Sequence, residues 1–237
     1  MLIHAEGATA NNATRVPTIP FELTPDGIET LVAINHIGHF VFTTSLLPLL
    51  QRTAELPNSD VRVITISSSN HTSPTSVDFT SEAAFQLTQG KPGAVNIDRF
   101  LTAIVRYSYT KLLNVLFANE LQRRVLAPAK KTVTNPIVSL SLNPGIVATS
   151  GVVGKLPPLL KVPLQMFSTS ALDGAATTLV AATAPVVRQK ADRYFGSYLN
   201  PGGALGNSSD LSLDAGKARE LWYLSENAVA DVLKGDR

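Results

Sequence analysis

The 237-residue sequence contains no cysteine. This absence excludes a disulfide scaffold, a thiolate nucleophile, a cysteine-ligated zinc site and an iron–sulfur protein. An excess of one charge is lacking as well, because 20 Lys and Arg residues face 18 Asp and Glu residues and leave a net charge of +2. This near balance of positive and negative charges gives no reason to expect a nucleic-acid partner.

A long hydrophobic run is also lacking. The longest, residues 37–50, is interrupted by His39, by Thr43-Thr44-Ser45 and by Pro48. It is shorter than the roughly 20 apolar residues that cross a bilayer, and the first residues lack the basic segment and apolar core of a secretory signal. We therefore expect a soluble, cytoplasmic protein with no integral membrane segment.

Short apolar strands alternate along the chain with amphipathic helices. Apolar and β-branched runs predict strands over residues 1–4, 61–66, 137–142 and 193–199, and helical periodicity predicts helices over residues 24–50, 99–125, 168–182 and 215–233. This alternation predicts an α/β fold, a parallel sheet covered by helices on both faces. Ligands bind such sheets at the carboxyl ends of the strands, which is where Ser68 and Asn143-Pro144-Gly145 fall.

Three segments between these elements carry further predictions. Thr24 and Pro25 match the N-cap and the first position of a helix. Residues 70–97, rich in Thr, Ser, Gln, Pro and Gly, predict a long insertion at the surface. Residues 150–167 mix proline and glycine with apolar side chains and indicate a substrate lid. The apolar lid favours a small hydrophobic carbonyl or alcohol as substrate, and its two lysines also allow shallow contact with a membrane surface.

The segment Tyr107-Ser108-Tyr109-Thr110-Lys111 contains the sharpest chemical pattern. Tyr107 and Lys111 are four residues apart on a predicted helix and therefore share one face. An ammonium within ~4–6 Å favours the phenolate and lowers the phenol pKa, which suits Tyr107 to donate and accept a proton. Ser68, at a strand end, is placed to hold a substrate oxygen. Taken alone, the pattern also fits a half-buried tyrosine beside a solvated lysine.

Four segments, in this order along the chain, resemble the short-chain dehydrogenase/reductase family. They are Asn35-His36-Ile37-Gly38-His39-Phe40, Val63-Ile64-Thr65-Ile66-Ser67-Ser68, Tyr107 to Leu121, and Leu142-Asn143-Pro144-Gly145-Ile146-Val147-Ala148-Thr149. They are similar to the family's asparagine helix, serine strand, Tyr-Lys helix and Pro-Gly loop. The Tyr-Lys helix resembles that of the retinol-dehydrogenase-like branch, and the whole is similar to fungal-type reductases of secondary metabolism. The resemblance covers essentially the whole chain and implies a single Rossmann-like domain over residues 1–237.

The resemblance implies an NAD(P)-dependent oxidoreductase that interconverts a carbonyl and an alcohol. It implies a catalytic set of Asn35, Ser68, Tyr107 and Lys111, and a cofactor-binding set of Gly7, Tyr107, Lys111, Pro144, Gly145, Val147 and Thr149. In these roles Tyr107 is the acid–base group, Ser68 binds the carbonyl oxygen, and Lys111 lowers the tyrosine pKa and binds the nicotinamide ribose. Asn35 holds a water molecule in a proton relay. The Asn35 helix and the Tyr-Lys helix commonly form a dimer bundle in this family, which implies a homodimer.

The sequence departs from the family at its start. The family begins with a strand, a glycine-rich turn and a helix that cradle the cofactor pyrophosphate, and this sequence shows no such segment. Residues 2–7 resemble the family's fourth strand with its Asn-Asn-Ala-Gly motif, of which Gly7 alone agrees. We therefore expect a truncated sheet without its first three strands, an exposed edge at residues 1–5, and no dedicated pocket for the adenosine and pyrophosphate. Residues 202–206, the other glycine cluster, are expected to form a turn.

Several interpretations stay open at this stage. The chain is a shortened product of a full-length enzyme, a natural variant that keeps weak or altered redox activity, or a protein without hydride transfer. The last group includes a Tyr/Lys acid–base isomerase or cyclase and a non-catalytic dimer partner. NADP is the nominal cofactor and NAD the other option. The residues that discriminate between them in the family follow its second strand, and this sequence shows no such segment.

The histidines give no clear site. His36 and His39 lie three residues apart on a helix, but no acidic or third histidine partner is evident nearby, so we expect no metal. Packing or hydrogen bonding at the helix surface is the expected role of both. His71 follows the serine strand and either lines the pocket or stabilises a turn.

Overall fold

The structure is a computed structural model that describes residues 8–11, 21–86, 96–126, 135–145 and 170–234. The strand predicted at residues 1–4, the lid predicted at residues 150–167, and Gly7, Val147 and Thr149 lie outside the described residues.

Five strands and eight helices make up the described part of the chain. The strands are β1 (Ala8–Asn11), β2 (Arg62–Ile66), β3 (Val138–Leu142), β4 (Tyr198–Leu199) and β5 (Leu205–Gly206). The helices are α1 (Thr30–Ala54), α2 (Ala83–Gln86), α3 (Asn96–Leu126), α4 (Ala171–Thr183), α5 (Pro185–Gln189), α6 (Ala191–Tyr194), α7 (Asp210–Leu213) and α8 (Ala215–Lys234). Helix α1 contains a π-helical segment, Ala33–Ile37, and a 3-10 turn, Ser69–Thr72, follows β2.

The sheet has the strand order β1-β2-β3-β4-β5. The first four strands are parallel, with Asn11 opposite Thr65 and Ile66 opposite Leu142. Strand β5 is antiparallel to β4, and the turn between them contains Gly202 and Gly203 at φ +85° and +86°. The parallel Rossmann-like sheet predicted from the sequence is confirmed, as is the turn at the second glycine cluster, while the closing hairpin adds an antiparallel edge.

Helices cover both faces of the sheet, and β2 and β3 are therefore buried along their whole length. On one face Ile64, Ile66, Val138, Leu140 and Leu142 pack against residues of α4, α5 and α6. On the other face Val61 and Val63 pack with α1, α3 and α8, whose contributions include Phe40, Phe117 and Trp222. Continuous apolar runs are typical of parallel strands that are buried on both sides.

The strand that pairs with β2 lies later in the chain than the sequence analysis placed it. Residues 2–7 were expected to form the fourth family strand, but Ala8–Asn11 occupies that position beside β2. Its sequence, Ala-Thr-Ala-Asn, lacks the apolar pattern that identified β2 and β3. These residues therefore form a strand because they pair with β2, and their composition alone would not have predicted one.

Helix α1 begins six residues later than Thr24. The backbone NH of Thr24 donates to the carbonyl of Ile28 and that of Gly27 donates to the carbonyl of Thr24, which closes a turn there. The N-cap is Glu29, whose carboxylate accepts hydrogen bonds from the backbone NH groups of Leu31 and Val32 at 2.8 and 3.1 Å. A buried carboxylate at this end also interacts favourably with the positive pole of the helix dipole.

Two further segments differ from their predictions. The insertion at residues 70–97 is partly a core element, because His71, Phe79 and Phe85 are buried. The strand expected at residues 193–199 is reduced to β4, since Ala191–Tyr194 continues as helix α6.

By length and composition alone, α1 is long and apolar enough to cross a membrane. A core helix passes the same test, and α1 places Phe40, Leu50 and Ala54 in the hydrophobic core beside β2. Packing within the fold therefore accounts for part of its apolar surface, whereas Val41, Phe42 and Leu49 are exposed.

Candidate active site

The end of β2 separates two serines with different surroundings. Ser67 is buried and its hydroxyl donates a 2.7 Å hydrogen bond to the carbonyl of Lys111, which fastens the strand end to α3. Ser68 is half-buried, has an extended backbone, and caps the 3-10 turn through a bond from the Asn70 NH to its Oγ. The Ser68 side chain also hydrogen-bonds Tyr107. Ser68 therefore faces the site, and Ser67 holds the strand in place.

Tyr107 lies on α3 opposite Ser68. Burial raises the pKa of the Tyr107 phenol, and the hydrogen bond with the Ser68 side chain offsets part of that rise. The net shift is the reverse of the lowering expected from Lys111, because the loss of hydration outweighs the hydrogen bond with Ser68. Tyr109, two residues along, contacts Phe79 instead and belongs to another face of the helix.

Lys111 is buried between α3 and the end of β2. Its Nζ donates to the carbonyl of Ile66 at 3.3 Å and lies 5.3 Å from the centroid of the Tyr107 ring. Burial lowers the pKa of Lys111 to about 8. The Nδ2 of Asn114, one turn later, donates to the same Ile66 carbonyl at 2.9 Å. The lysine is thus held beside the tyrosine in a setting where its charge is easily lost.

Asn35 lies in the π-helical segment of α1 and is fully buried. Its Nδ2 donates to Oγ1 of Thr110 at 3.0 Å, and that hydroxyl donates to the carbonyl of Tyr107 at 2.8 Å. The widened turn points the amide at the helix that carries Tyr107 and Lys111, and π-bulges occur frequently at functional sites. The structure therefore brings all four predicted catalytic residues into one region.

A buried ion pair fixes α1 against α3 near this region. The Nη1 of Arg106 lies 2.5 Å from Oε1 of Glu29, and both side chains are almost completely buried. Arg106 precedes Tyr107 in the chain, and Glu29 caps the helix that carries Asn35. Sequence reasoning missed this pair, because charged residues 77 positions apart give no local pattern.

The loop after β3 leaves the sheet at the same edge as Ser68. Its first residues are joined to the sheet by the Asn143 NH, which donates to the Leu199 carbonyl at 2.9 Å. The Gly145 NH donates to Oδ1 of Asn143 at 2.9 Å, and Gly145 has φ +87°, a conformation that favours glycine. Pro144 and Gly145 thus stand where the sequence placed them, at a carboxyl strand end.

The position of β1 changes where the Asn-Asn-Ala motif is found in the sequence. Asn11 ends β1 opposite Thr65, and the sequence continues with Asn12-Ala13-Thr14. The Asn-Asn-Ala order sought at residues 4–6 is thus present at residues 11–13, beginning with the last residue of the strand. Gly7 immediately precedes β1 in the sequence. The motif itself was the signal that could have located this strand.

Two aromatic side chains that sequence reasoning did not assign to the catalytic set lie beside it. The ring centroids of His71 and Tyr198 are 4.5 Å apart, and Nδ1 of His71 lies 2.7 Å from the Ser68 carbonyl oxygen. Burial first, and then the charge of Tyr107, raise the pKa of Tyr198. Tyr198 belongs to a two-residue strand, and no pattern in the sequence marks it.

The pair of histidines on α1 serves the core. His36 is buried, not at the helix surface as expected, with Nε2 2.8 Å from Oγ of Ser225 and with aromatic neighbours that include Phe40, Phe85 and Phe117. Burial lowers the pKa of His36 to about 3, with a smaller contribution from His39. Across the part of the chain that the structure describes, no group of three or more His, Asp or Glu residues is arranged to hold a metal ion.

Sequence and structure comparisons give related proteins. No family model matches the sequence. A short chain dehydrogenase/reductase, dpchH of Colletotrichum higginsianum, is 41% identical over 209 residues, which cover 87% of this chain and 50% of that protein. Retinol dehydrogenase 14 of Mus musculus is 31% identical over 220 residues, 91% of this chain and 56% of that protein. The chain thus spans about half the length of these curated relatives.

A solved structure is similar as well. The crystal structure of an uncharacterized protein from Mycobacterium paratuberculosis superposes with a TM-score of 0.62 at 27% identity. The superposition covers 94% of this chain and 68% of the other.

Proposed function

This chain belongs to the short-chain dehydrogenase/reductase family, and from that premise we propose that its site interconverts a carbonyl and an alcohol with a nicotinamide cofactor. One observation carries the proposal. Ser68, Tyr107 and Lys111 lie together at the carboxyl edge of the parallel sheet, and Asn35 is joined to them through Thr110. An acid–base group, an oxygen-binding hydroxyl and a buried cation are what carbonyl reduction requires of the protein.

The donor set fits the nicotinamide-ribose half of NADP or NAD. The buried ammonium of Lys111 suits ribose hydroxyls, and the bend at Asn143-Pro144-Gly145 lies at the strand edge where such cofactors bind. When bound, the cofactor supplies the hydride. We propose NADP as the cofactor, with Val147 and Thr149 completing its nicotinamide contacts.

In reduction, the chain's own residues handle the substrate oxygen and its proton. Ser68 and Tyr107 both donate hydrogen bonds to the carbonyl oxygen, and Tyr107 transfers its proton as the alcohol forms. The neighbouring Lys111 stabilises the resulting phenolate at about 5 Å from the ring. Asn35, oriented by Thr110, holds the water molecule that returns a proton to the site.

The substrate class and assembly follow from apolar surfaces. The apolar sequence of residues 150–167 supports a small hydrophobic substrate, of the kind handled in secondary metabolism. A homodimer is supported by exposed apolar residues on the two helices that carry the catalytic groups, namely Val41, Phe42 and Leu49 on α1 and Leu101 and Val105 on α3.

A second candidate rests on the lysine. Because its pKa is about 8, Lys111 exchanges a proton near neutral pH and forms with Tyr107 an acid–base pair that requires no hydride. This observation favours an isomerase or cyclase that uses the same residues without a redox cofactor.

A calorimetric titration with NADPH and then NADH, followed by assay of NADPH oxidation with a panel of hydrophobic ketones, separates the two. Micromolar binding, about −8 kcal/mol, together with ketone-dependent oxidation is the expected result. No binding up to millimolar cofactor rejects the reductase and leaves the acid–base candidate.

A further inference from the structure

His71 and Tyr198 lie side by side next to the candidate active site, and the proposed reaction uses neither. His71 belongs to the 3-10 turn that starts directly after Ser68. Tyr198 lies in β4, opposite Ser141 of β3. Their ring centroids are 4.5 Å apart, and Tyr198 interacts electrostatically with Tyr107. Both are therefore placed at the edge where the substrate binds.

Each of the two side chains ends in a buried polar atom without a hydrogen-bond partner in the described part of the chain. These atoms are Nε2 of His71 and the hydroxyl oxygen of Tyr198. The two residues are only 1% and 4% exposed. Buried polar atoms in folded proteins are nearly always paired, because an unpaired one loses its water without compensation. Two such atoms beside an acid–base residue point to a ligand group that completes them.

The surroundings fix which atom donates and which accepts. A carbonyl oxygen only accepts, so the contact with the Ser68 carbonyl places the proton of the neutral His71 ring on Nδ1. Burial lowers the pKa of His71 and keeps the ring neutral, which leaves Nε2 as an acceptor. Burial and the charge of Tyr107 raise the pKa of Tyr198, so that its phenol remains a donor.

We propose that His71 and Tyr198 bind a hydroxyl group of the substrate, in addition to the carbonyl that Ser68 and Tyr107 hold. A hydroxyl oxygen accepts the hydrogen bond of Tyr198, and its hydrogen is donated to Nε2 of His71. A second carbonyl satisfies Tyr198 alone, and an apolar group satisfies neither. The substrate class is therefore a hydroxylated carbonyl compound, and the inference rests on the proposed function because it adds a contact within the same site.

The test compares ketones with and without a hydroxyl group one, two or three carbons from the carbonyl. The measured quantity is the ratio of kcat/KM for each hydroxy ketone to that for its deoxy counterpart. In the unmodified chain at least one pair is expected to give a ratio well above one, because a polar site rejects analogues that leave its groups unpaired. Tyr198→Phe is expected to lower that ratio about tenfold or more.

Two further variants control for folding and for tyrosine loss in general. His71→Asn keeps a donor for the Ser68 carbonyl but lacks the Nε2 acceptor, so it is expected to lower the ratio as well. Tyr109→Phe, on the same helix as Tyr107 but packed against Phe79, is expected to leave the ratio unchanged. Equal ratios in the unmodified chain, Tyr198→Phe and His71→Asn overturn the inference and assign the pair to a structural water.

A binding measurement separates this inference from the proposed function. Calorimetric titration of the Tyr107→Phe chain with a hydroxy ketone and its deoxy counterpart requires no turnover. Tighter binding of the hydroxy ketone, abolished by adding Tyr198→Phe, supports the inference even if no form oxidises NADPH. Equal binding of the two ketones contradicts it, whatever the activity of the unmodified chain.

Discussion

Replacement of each of the two serines at the end of β2 by alanine is expected to affect a different property, thermal stability for Ser67 and kcat for Ser68. Ser67 is buried and donates its hydroxyl to the Lys111 carbonyl at 2.7 Å. Ser68 is half-buried and hydrogen-bonds Tyr107. Ser67→Ala removes a tie between the strand and α3, whereas Ser68→Ala removes a group that holds the reacting oxygen.

The magnitudes follow from these contacts. Loss of one buried hydrogen bond costs about 0.5–1.5 kcal/mol when its acceptor keeps another bond, as the Lys111 carbonyl does inside α3. In a chain of this length, each kcal/mol lowers Tm by roughly 2–4 °C, so Ser67→Ala is expected to lower Tm by several degrees. Removal of a preorganised donor aimed at a developing oxyanion lowers kcat by about 100-fold or more, which is the expected effect of Ser68→Ala, together with a smaller fall in Tm because only a 3.3 Å capping bond of the half-buried serine is lost from the 3-10 turn.

Thermal unfolding and ketone-dependent NADPH oxidation, measured on both variants, provide the comparison. The larger loss of stability is expected for Ser67→Ala and the larger loss of kcat for Ser68→Ala. If Ser68→Ala retains full activity while Ser67→Ala loses it, then the substrate oxygen is not held by Ser68.

Two further predictions concern the core. Glu29→Gln keeps an oxygen for the cap of α1 but removes the carboxylate that pairs with the buried Arg106, so the free energy of unfolding should fall by about 3–5 kcal/mol; an unchanged denaturation midpoint would contradict a stabilising ion pair. His36 has a pKa of about 3 in the fold and 6.5 when exposed. Its contribution to the free energy of unfolding is therefore complete above pH 6.5 and is lost as the pH falls toward 3. The loss amounts to about 2 kcal/mol at about pH 5. His36→Phe should flatten the pH dependence of unfolding in that window, and an identical slope in the variant would show that other groups cause it.

The sequence was sufficient where the signal is local. Strands β2 and β3 are short runs dominated by apolar and β-branched residues, and the 3.6-residue periodicity of α3 places Tyr107 and Lys111 on one face of the helix. The parallel arrangement then brought Ser68 and Asn143 to one edge. Local pattern and strand polarity thus predicted most of the candidate site.

Sequence reasoning was insufficient where distant residues decide the structure. Strand β1 has no apolar pattern and exists through its pairing with β2. Helix α1 begins at a glutamate cap that Arg106 stabilises from another helix, so the Thr-Pro signal at Thr24 was misleading. The net pKa shift of Tyr107 depends on burial, which the spacing to Lys111 does not report.

The proposed mechanism depends above all on Tyr107 as the acid–base group, and a comparison of two tyrosine variants tests this role. The rate of ketone-dependent NADPH oxidation is measured for the unmodified chain, for Tyr107→Phe and for the neighbouring control Tyr109→Phe. A positioned acid–base group contributes about 100- to 10,000-fold, so Tyr107→Phe is expected to lose at least 100-fold in kcat while Tyr109→Phe remains near the unmodified rate. Tyr107→Phe that retains the unmodified rate would contradict the acid–base role of Tyr107 and the reductase mechanism built on it.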